Sequence, residues 1–334
     1  MRSADTTKLI TLLENALAHR AALFDARHAT AFRLFNGFTE NYPDLAIDLY
    51  GKTIVLHDYS DTPEAHDDSV ATAKEFLCSR LAWMQAIICK KRQALTPEAR
   101  NGTLIYGSQP DRRIREHGVW YSLDLCLNRD ASFYLDTRHL RRWAIENLRG
   151  KTVLNTFAYT GSLGVAAMAG GAAQVVHLDL NRQFLNIAKT SYTLNGFRIE
   201  KQNFQRGDFW PQINQMKRAG MRFDCVFLDP PIFSETRGGV IDLESNFAKL
   251  INKVRPLIDD GGWLAAINNA LYLSGADYLA LLKALCTDGY LHIEQLIPVP
   301  QDFLGFSGTP KFITSPAPFN HPTKIALLRV RRKT

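Results

Sequence analysis

Three aspartates, each closing or following an apolar run, set the chemical question. Asp179 ends Val175-Val176-His177-Leu178-Asp179, Asp208 follows Arg206-Gly207, and Asp229 ends Phe227-Leu228-Asp229. Upstream lies a glycine-bearing turn, Asn155-Thr156-Phe157-Ala158-Tyr159-Thr160-Gly161-Ser162-Leu163-Gly164, where glycine lets backbone approach a ligand. Asp179 stands 18 residues beyond Gly161, about the spacing at which a carboxylate takes the ribose hydroxyls of an adenine nucleotide. Asp208 is then placed for an adenine amino group. Singly, each aspartate reads as an ordinary strand-end residue and the glycine turn as a tight connection. Their order along the chain favours a nucleotide-like ligand.

A dinucleotide's pyrophosphate would call for Gly-x-Gly-x-x-Gly at the first turn. Here Thr156, Phe157, Ala158 and Tyr159 put bulk where that phosphate would sit. A cofactor made of adenine, ribose and an amino acid fits better, so S-adenosyl-L-methionine is expected rather than a nicotinamide dinucleotide. After Asp229 come Pro230-Pro231-Ile232-Phe233-Ser234. The two prolines fix φ and remove two backbone donors, leaving a rigid loop with free carbonyls. Such a loop suits presentation of a flat, polar base edge beside a methyl sulfonium; the plainer alternative is a Pro-Pro turn.

The elements that must position these residues follow from the pattern beyond Lys151. Short apolar runs at residues 152–155, 174–178, 201–205, 223–228, 263–267, 291–299 and 325–330 alternate with helical stretches. That is the form of a doubly wound parallel sheet, and the absence of a long helix before the last run predicts a closing antiparallel pair. The expected fold is α/β: a Rossmann-like, seven-stranded class I methyltransferase sheet over residues 129–334, with a smaller N-terminal α+β domain over 1–128 for substrate recognition. In the small domain, Ile10, Leu13 and Leu17 space an amphipathic helix over about 6–25, and runs at 45–49 and 53–56 flank Tyr50-Gly51-Lys52 as a hairpin. A helix at 67–82 and a strand at 86–89 follow. The glycine- and proline-broken stretch 94–118 reads as a surface loop, and 119–126 with 132–135 as a second hairpin.

At 334 residues, two unequal domains are the natural expectation. The 46% apolar and 22% charged composition, with no apolar run of membrane-spanning length, excludes a helical membrane protein. The N-terminal stretch lacks the form of a secretory signal, so a cytoplasmic protein is expected. Five scattered cysteines, Cys78, Cys89, Cys126, Cys225 and Cys286, form no zinc-type pairs and no metal is expected. A net charge of +7 suits a polyanionic partner.

At this point the chain resembles the bacterial large-subunit ribosomal RNA methyltransferases, both the 5-methylcytidine branch and the C-terminal module of the fused enzyme that forms 7-methylguanosine. The resemblance covers about residues 30–330. It is carried by Tyr134-Leu135-Asp136-Thr137-Arg138 with Arg141, by the segment from Leu154 to Ser162, by the Asp-Pro-Pro loop, and by Ala31-Phe32-Arg33-Leu34-Phe35-Asn36-Gly37 with Pro43-Asp44-Leu45-Ala46-Ile47-Asp48. It implies that Tyr134, Asp136, Arg138, Arg141, Asn155, Phe157, Tyr159, Gly161, Asp179, Asp208 and Asp229 line or organise the cofactor pocket. Arg138 and Arg141, three apart on an incipient helix, suit the methionine carboxylate or else make a solvated basic face. Many members of that family begin with an additional RNA-binding module, for which this chain has too little room.

Methylating C5 of a pyrimidine needs a covalent adduct, hence a thiolate, which related enzymes supply after the fifth strand. Here that segment reads Ala266-Ile267-Asn268-Asn269-Ala270-Leu271-Tyr272, without cysteine. Cys225 and Cys286 read as packing thiols. The two asparagines resemble the Ser-Asn-Asn stretch of the guanine-N7 branch, where positioning alone can carry the transfer. Asp229, Pro230, Pro231, Phe233 and Asn268 are therefore the expected catalytic set and ribosomal RNA the expected partner, guanine N7 preferred over cytosine C5. Asn268 and Asn269 read equally as caps of the next helix. A small-molecule or protein acceptor, or a non-catalytic RNA-binding protein retaining the fold, are the alternatives. Phe209, Trp210 and Phe233 are candidate base-stacking rings or core residues, residues 302–310 a mobile cover, and Arg329-Val330-Arg331-Arg332-Lys333 an RNA-facing or merely solvated tail.

Overall fold

The computed structural model describes residues 4–60, 66–306 and 312–332, and divides into two compact units. The first comprises residues 1–135 with 300–311, the second residues 136–299 with 312–334.

In the first unit, α1 (Ala4–His19) buries Leu9, Leu13 and Ala16, one stripe at three- and four-residue spacing. Strands β1 (Ala31–Asn36), β2 (Leu45–Tyr50) and β3 (Thr53–Asp58) form an antiparallel meander. Helix α2 (His66–Arg80) then crosses back so that β4 (Ala86–Lys91) runs parallel to β3. A short α3 (Pro97–Asn101), capped by the Thr96 hydroxyl, leads to β5 (Thr103–Gly107), antiparallel to β4 at the sheet's edge.

This corrects the surface loop expected over 94–118. Gly102 and Gly107 bound a strand rather than forbid one, and Gly107 allows a close approach that a Cβ would block at 1.8 Å from the Gln85 carbonyl. The second hairpin is also one strand earlier than expected. It pairs β6 (Arg113–Glu116) with β7 (Val119–Ser122), and residues 123–137 hold only turns and bends. Alternation explains it: Ile114 and Glu116 face inward, while the Arg113 and Arg115 guanidinium groups lie 4.8 and 5.7 Å from the Trp120 ring.

The second unit opens with α4 (Arg138–Asn147), then alternates β8 (Thr152–Thr156), α5 (Ser162–Ala169), β9 (Gln174–Asp179), α6 (Arg182–Leu194), β10 (Phe204–Arg206), α7 (Phe209–Arg218) and β11 (Phe223–Leu228). A hairpin, β12 (Phe233–Thr236) and β13 (Gly239–Asp242), precedes α8 (Phe247–Val254), β14 (Ile258–Asn268), α9 (Gly275–Leu285) and β15 (Leu291–Ile297). Helix α10 (Gln301–Leu304) belongs to the first unit, and β16 (Lys324–Val330) closes the sheet. The strand order is β10-β9-β8-β11-β14-β16-β15, with β16 antiparallel to both neighbours. The seven strands and the closing reversal agree with the sequence pattern.

Side chains alternate between two cores as strand geometry requires. Val153, Val175, Cys225 and Phe227 pack with α4 and α5, while Leu154, Val176, Val226 and Leu228 pack with α7, α8 and α9. Strand order reverses between β8 and β11, which opens a crevice at their C-terminal ends, where open α/β sheets bind ligands. The Thr156 hydroxyl donates to the Phe227 carbonyl at 2.7 Å across that point.

Candidate active site

The loop leaving β8 is held in an uncommon conformation. Phe157 and Tyr159 have φ of 52° and 50°, and Gly161, at φ 79°, precedes α5. Hydrogen bonds to the end of β9 fix it. Ala158 N–H donates to the Leu178 carbonyl at 2.9 Å, and Tyr159 N–H to Asp179 Oδ2 at 2.8 Å. Asp179 Oδ1 accepts from Asn181 N–H at 2.8 Å, which leaves each carboxylate oxygen able to accept once more. Burial raises the Asp179 pKa against these two donors.

Gly161 serves packing as much as any ligand. A Cβ there would stand 2.6 Å from the Ala188 Cβ and 3.2 Å from the His177 ring, so its missing side chain admits protein atoms. Asn155 is buried beneath the loop, its amide 3.4 Å from His177 Nδ1. Burial pulls His177 down to about 3, keeping it neutral, with its other ring nitrogen on the Tyr192 hydroxyl. Phe157 stacks on Phe209 at 4.7 Å, and Tyr159 meets Phe184 edge-on at 4.5 Å.

Asp208 caps α7, accepting Trp210 N–H at 2.9 Å. The turn of the β12–β13 hairpin lies against it, for a Cβ on Gly238 would sit within 2.8 Å of its carboxyl atoms. Sequence reasoning missed this hairpin, since four alternating residues per strand are too short a signal.

The most perturbed group is Asp229. Burial and the nearby Asp136 carboxylate push it up to about 7. Asp136 itself accepts from the Thr323 hydroxyl at 2.8 Å. At the start of α4, Arg138 is half-buried, whereas Arg141 is fully buried and donates to the Thr137 hydroxyl at 2.7 Å. Tyr134 lies in the first unit, where its hydroxyl donates to Asp130 at 2.9 Å.

Pairing of Leu228 with Ala266 sets the Asp229-Pro230-Pro231 loop beside the end of β14. Asn268 is sealed there and engaged at both ends: Nδ2 donates to the Leu243 carbonyl at 3.0 Å and Oδ1 accepts Ala270 N–H at 3.0 Å. It braces the hairpin, because Leu243 N–H in turn holds the Ile232 carbonyl at 3.0 Å. Neither asparagine caps α9; Ser274 does. The neighbouring Asn269 keeps a buried Oδ1 that no group among the described residues satisfies. Thr323 and Lys324, also unforeseen, enter this edge because β16 runs backwards; Lys324 Nζ donates to the Ala270 carbonyl at 2.8 Å.

Other expectations separate cleanly. Phe209 and Trp210 are core residues, while Phe233, on the separate β12–β13 hairpin, is 62% exposed. Cys225 is buried and Cys286 half-buried, and burial raises both thiols. Residues 302–306 are no loose cover: Asp302 accepts Arg33 N–H at 2.9 Å, and Asn36 Nδ2 donates to the Phe303 carbonyl at 2.5 Å. Residues 307–310 of that segment lie outside the described residues. Nor is the basic tail free. Arg329 lies 3.9 Å from the Trp263 ring and pairs with Glu294, and Arg332 donates to the carbonyls of Ile258 and Pro256; Lys333 lies outside the described residues. Among the described residues no cluster of metal-ligating side chains occurs, and no helix is long and apolar enough to cross a membrane.

Asp136 and Asp229, both half-buried, thus act on one another in the second unit, and Asp229 is raised toward neutrality by burial and by that like charge. The same unit holds the half-buried Arg138 and, at the strand ends, Asp179 with acceptor capacity to spare and the Asp229-Pro230-Pro231 loop. These groups fit a molecule that carries an ammonium, a sulfonium, a carboxylate and a ribose. The architecture is that of a Rossmann-like, class I methyltransferase. The chain belongs to the family of S-adenosylmethionine-dependent methyltransferases, whose family model matches residues 33–306.

Relatives agree. The protein YwbD of Bacillus subtilis (strain 168) is 28% identical over 319 residues, covering 92% of this chain and 78% of its own. Ribosomal RNA large subunit methyltransferase I of Tolumonas auensis is 30% identical over 243 residues, covering 71% of this chain and 60% of that protein. In fold, the chain matches the crystal structure of SMU.776 complexed with SAH at a TM-score of 0.84 and 22% identity, over 99% of this chain and 83% of that one.

Proposed function

We propose that this methyltransferase modifies a base of large-subunit ribosomal RNA, and that guanine N7 is a better candidate for the acceptor than cytosine C5. The observation that carries the base preference is the end of β14, where Asn268 and Asn269 stand in place of a thiol while Cys225 is buried inside β11. Attack by a ring nitrogen needs no covalent adduct, so alignment of nitrogen, methyl and sulfur supplies the catalysis. The names of its relatives support ribosomal RNA as the substrate class.

In this reading Asp136 and Asp229 hold the cofactor's ammonium, Arg138 its carboxylate, and Asp179 its ribose hydroxyls. Asp208 faces the adenine, with Asn155, Phe157, Tyr159, Gly161 and Arg141 shaping the pocket. The bound cofactor supplies an electrophilic methyl on sulfur. Pro230 and Pro231 keep the loop carbonyls fixed, Phe233 offers a ring for stacking, and Asn269 takes over from Asn268 as the group that reads the base edge. Asn268 positions the hairpin that carries Phe233. The first unit serves substrate recognition, and the protein works in the cytoplasm.

Transfer of radiolabelled methyl from S-adenosyl-L-methionine to ribosomal RNA from a strain lacking the protein, followed by nucleoside digestion and mass spectrometry, tests this. Label in 7-methylguanosine is expected. Label in 5-methylcytidine overturns the base assignment, and cofactor binding without label in RNA overturns the substrate.

A further inference from the structure

The first unit contains a polar and aromatic cluster that the methyl-transfer chemistry leaves unused. It gathers where the parallel strands β3 and β4 end. Asp48 of β2 accepts from Arg33 Nε at 2.5 Å and from His57 Nε2 at 3.0 Å. Although burial opposes ionisation, the Arg33 guanidinium holds the Asp48 carboxyl below its ordinary range, and burial keeps His57 low and therefore neutral. His57 must then carry its proton on Nε2, leaving Nδ1 as an acceptor. That atom is buried and no group among the described residues satisfies it. Close by, Arg92 Nε is a buried donor in the same condition, although its Nη1 donates to the Arg129 carbonyl at 2.7 Å.

Rings complete the cluster. Tyr59 lies 6.5 Å from the His57 ring, 5.5 Å from the Arg92 guanidinium and 4.7 Å, edge-on, from Phe38. Phe38 is 45% exposed. An oriented acceptor, an oriented donor, a cation and an exposed ring are what an unpaired nucleotide needs: stacking for its base, hydrogen bonds for its polar edge, and charge for its phosphate.

We propose that Phe38, His57, Tyr59 and Arg92 form a nucleotide subsite in the first unit that holds an unpaired residue of single-stranded RNA. This rests on the reading of RNA as substrate and adds the residues that grip it.

The test measures binding of a short, fluorescein-labelled single-stranded RNA to the full chain by anisotropy, with cofactor affinity measured in parallel by calorimetry. Phe38→Ala is expected to weaken RNA binding by about tenfold or more, the effect of one lost base stack. Phe38→Trp restores binding, and cofactor affinity is unchanged in both. Tyr106→Ala, which removes a similarly exposed ring from β5 (41%), is expected to bind as the unaltered chain does. Unaltered RNA affinity in Phe38→Ala, or an equal loss in Tyr106→Ala, overturns the subsite and leaves the substrate reading intact. Cofactor binding without RNA binding by the unaltered chain overturns both. A mononucleotide bound as tightly as the oligonucleotide overturns RNA as the source.

Discussion

Replacing Asp229 by Asn should push stability and cofactor binding in opposite directions. Burial and Asp136 lift this carboxyl from its ordinary 3.8 to about 7. Between those values the folded chain keeps a proton that the unfolded chain has released, so stability falls as pH rises through this window. Above about pH 7 the full cost is present, and below 3.8 there is none. The span is worth about 4 kcal/mol at about 1.4 kcal/mol per pH unit. Asp229 is half-buried rather than sealed, so water screens part of that, and about 2 kcal/mol is the expected gain. For a chain of this size Asp229→Asn should therefore melt about 3 °C higher than the unaltered protein at pH 8.5, and about equally at pH 4. The same change removes a charge that would meet the cofactor's ammonium, so the rise in melting temperature on adding S-adenosyl-L-methionine should shrink sharply. Scanning calorimetry with and without cofactor at the two pH values reads both effects. A variant that melts below the unaltered protein at pH 8.5, or that keeps the full cofactor-induced rise, would refute the account of this corner.

Three further outcomes are expected. Asn268→Ala should cost about 2 kcal/mol in urea denaturation, since it orphans a buried carbonyl and a buried N–H, whereas Asn269→Ala should stay within about 0.5 kcal/mol and lose methyl transfer; equal destabilisation by both counts against their separate roles. Cys225→Ala and Cys286→Ser should retain methyl transfer at cofactor saturation, and abolition by either substitution would bring thiol chemistry back. Gly161→Ala should destabilise by roughly 2 kcal/mol, from its φ of 79° and the 2.6 Å approach to Ala188; an unchanged urea midpoint would mean that the loop has room to relax.

The second unit was legible because its strands are apolar on both faces and punctuated by helices. Val153 and Leu154, or Val226 and Phe227, announce a buried parallel strand whichever core they enter. The three strand-end acids were legible for the same reason, since Asp179 ends β9 and Asp208 and Asp229 closely follow β10 and β11. What was hidden depended on pairing rather than on local pattern. Thr103 to Gly107 reads as loop until β4 is beside it, and the charges of Arg113 and Arg115 conceal a strand whose polar face is covered by Trp120. At the site, Asn268 and Asn269 are the same residue type one position apart. Only the location of the Leu243 carbonyl decides which amide is consumed and which stays open. Thr323 and Lys324 carry no motif at all; a reversed strand delivers them.

That reversed strand also governs the order in which the molecule is made. β16 comprises residues 324–330 and follows every other described strand along the chain, yet it occupies an interior place between β14 and β15. Among the described residues β15 pairs with β16 alone, so it must wait, with an unpaired edge, until β16 arrives. Since chains fold from the N-terminus as they emerge, the first unit's meander and the five parallel strands can assemble early, while the sheet is completed only once β16 has followed them. A nascent or C-terminally nicked chain would therefore expose β14 and β15 together, and those two strands are where aggregation of an unfinished molecule should begin.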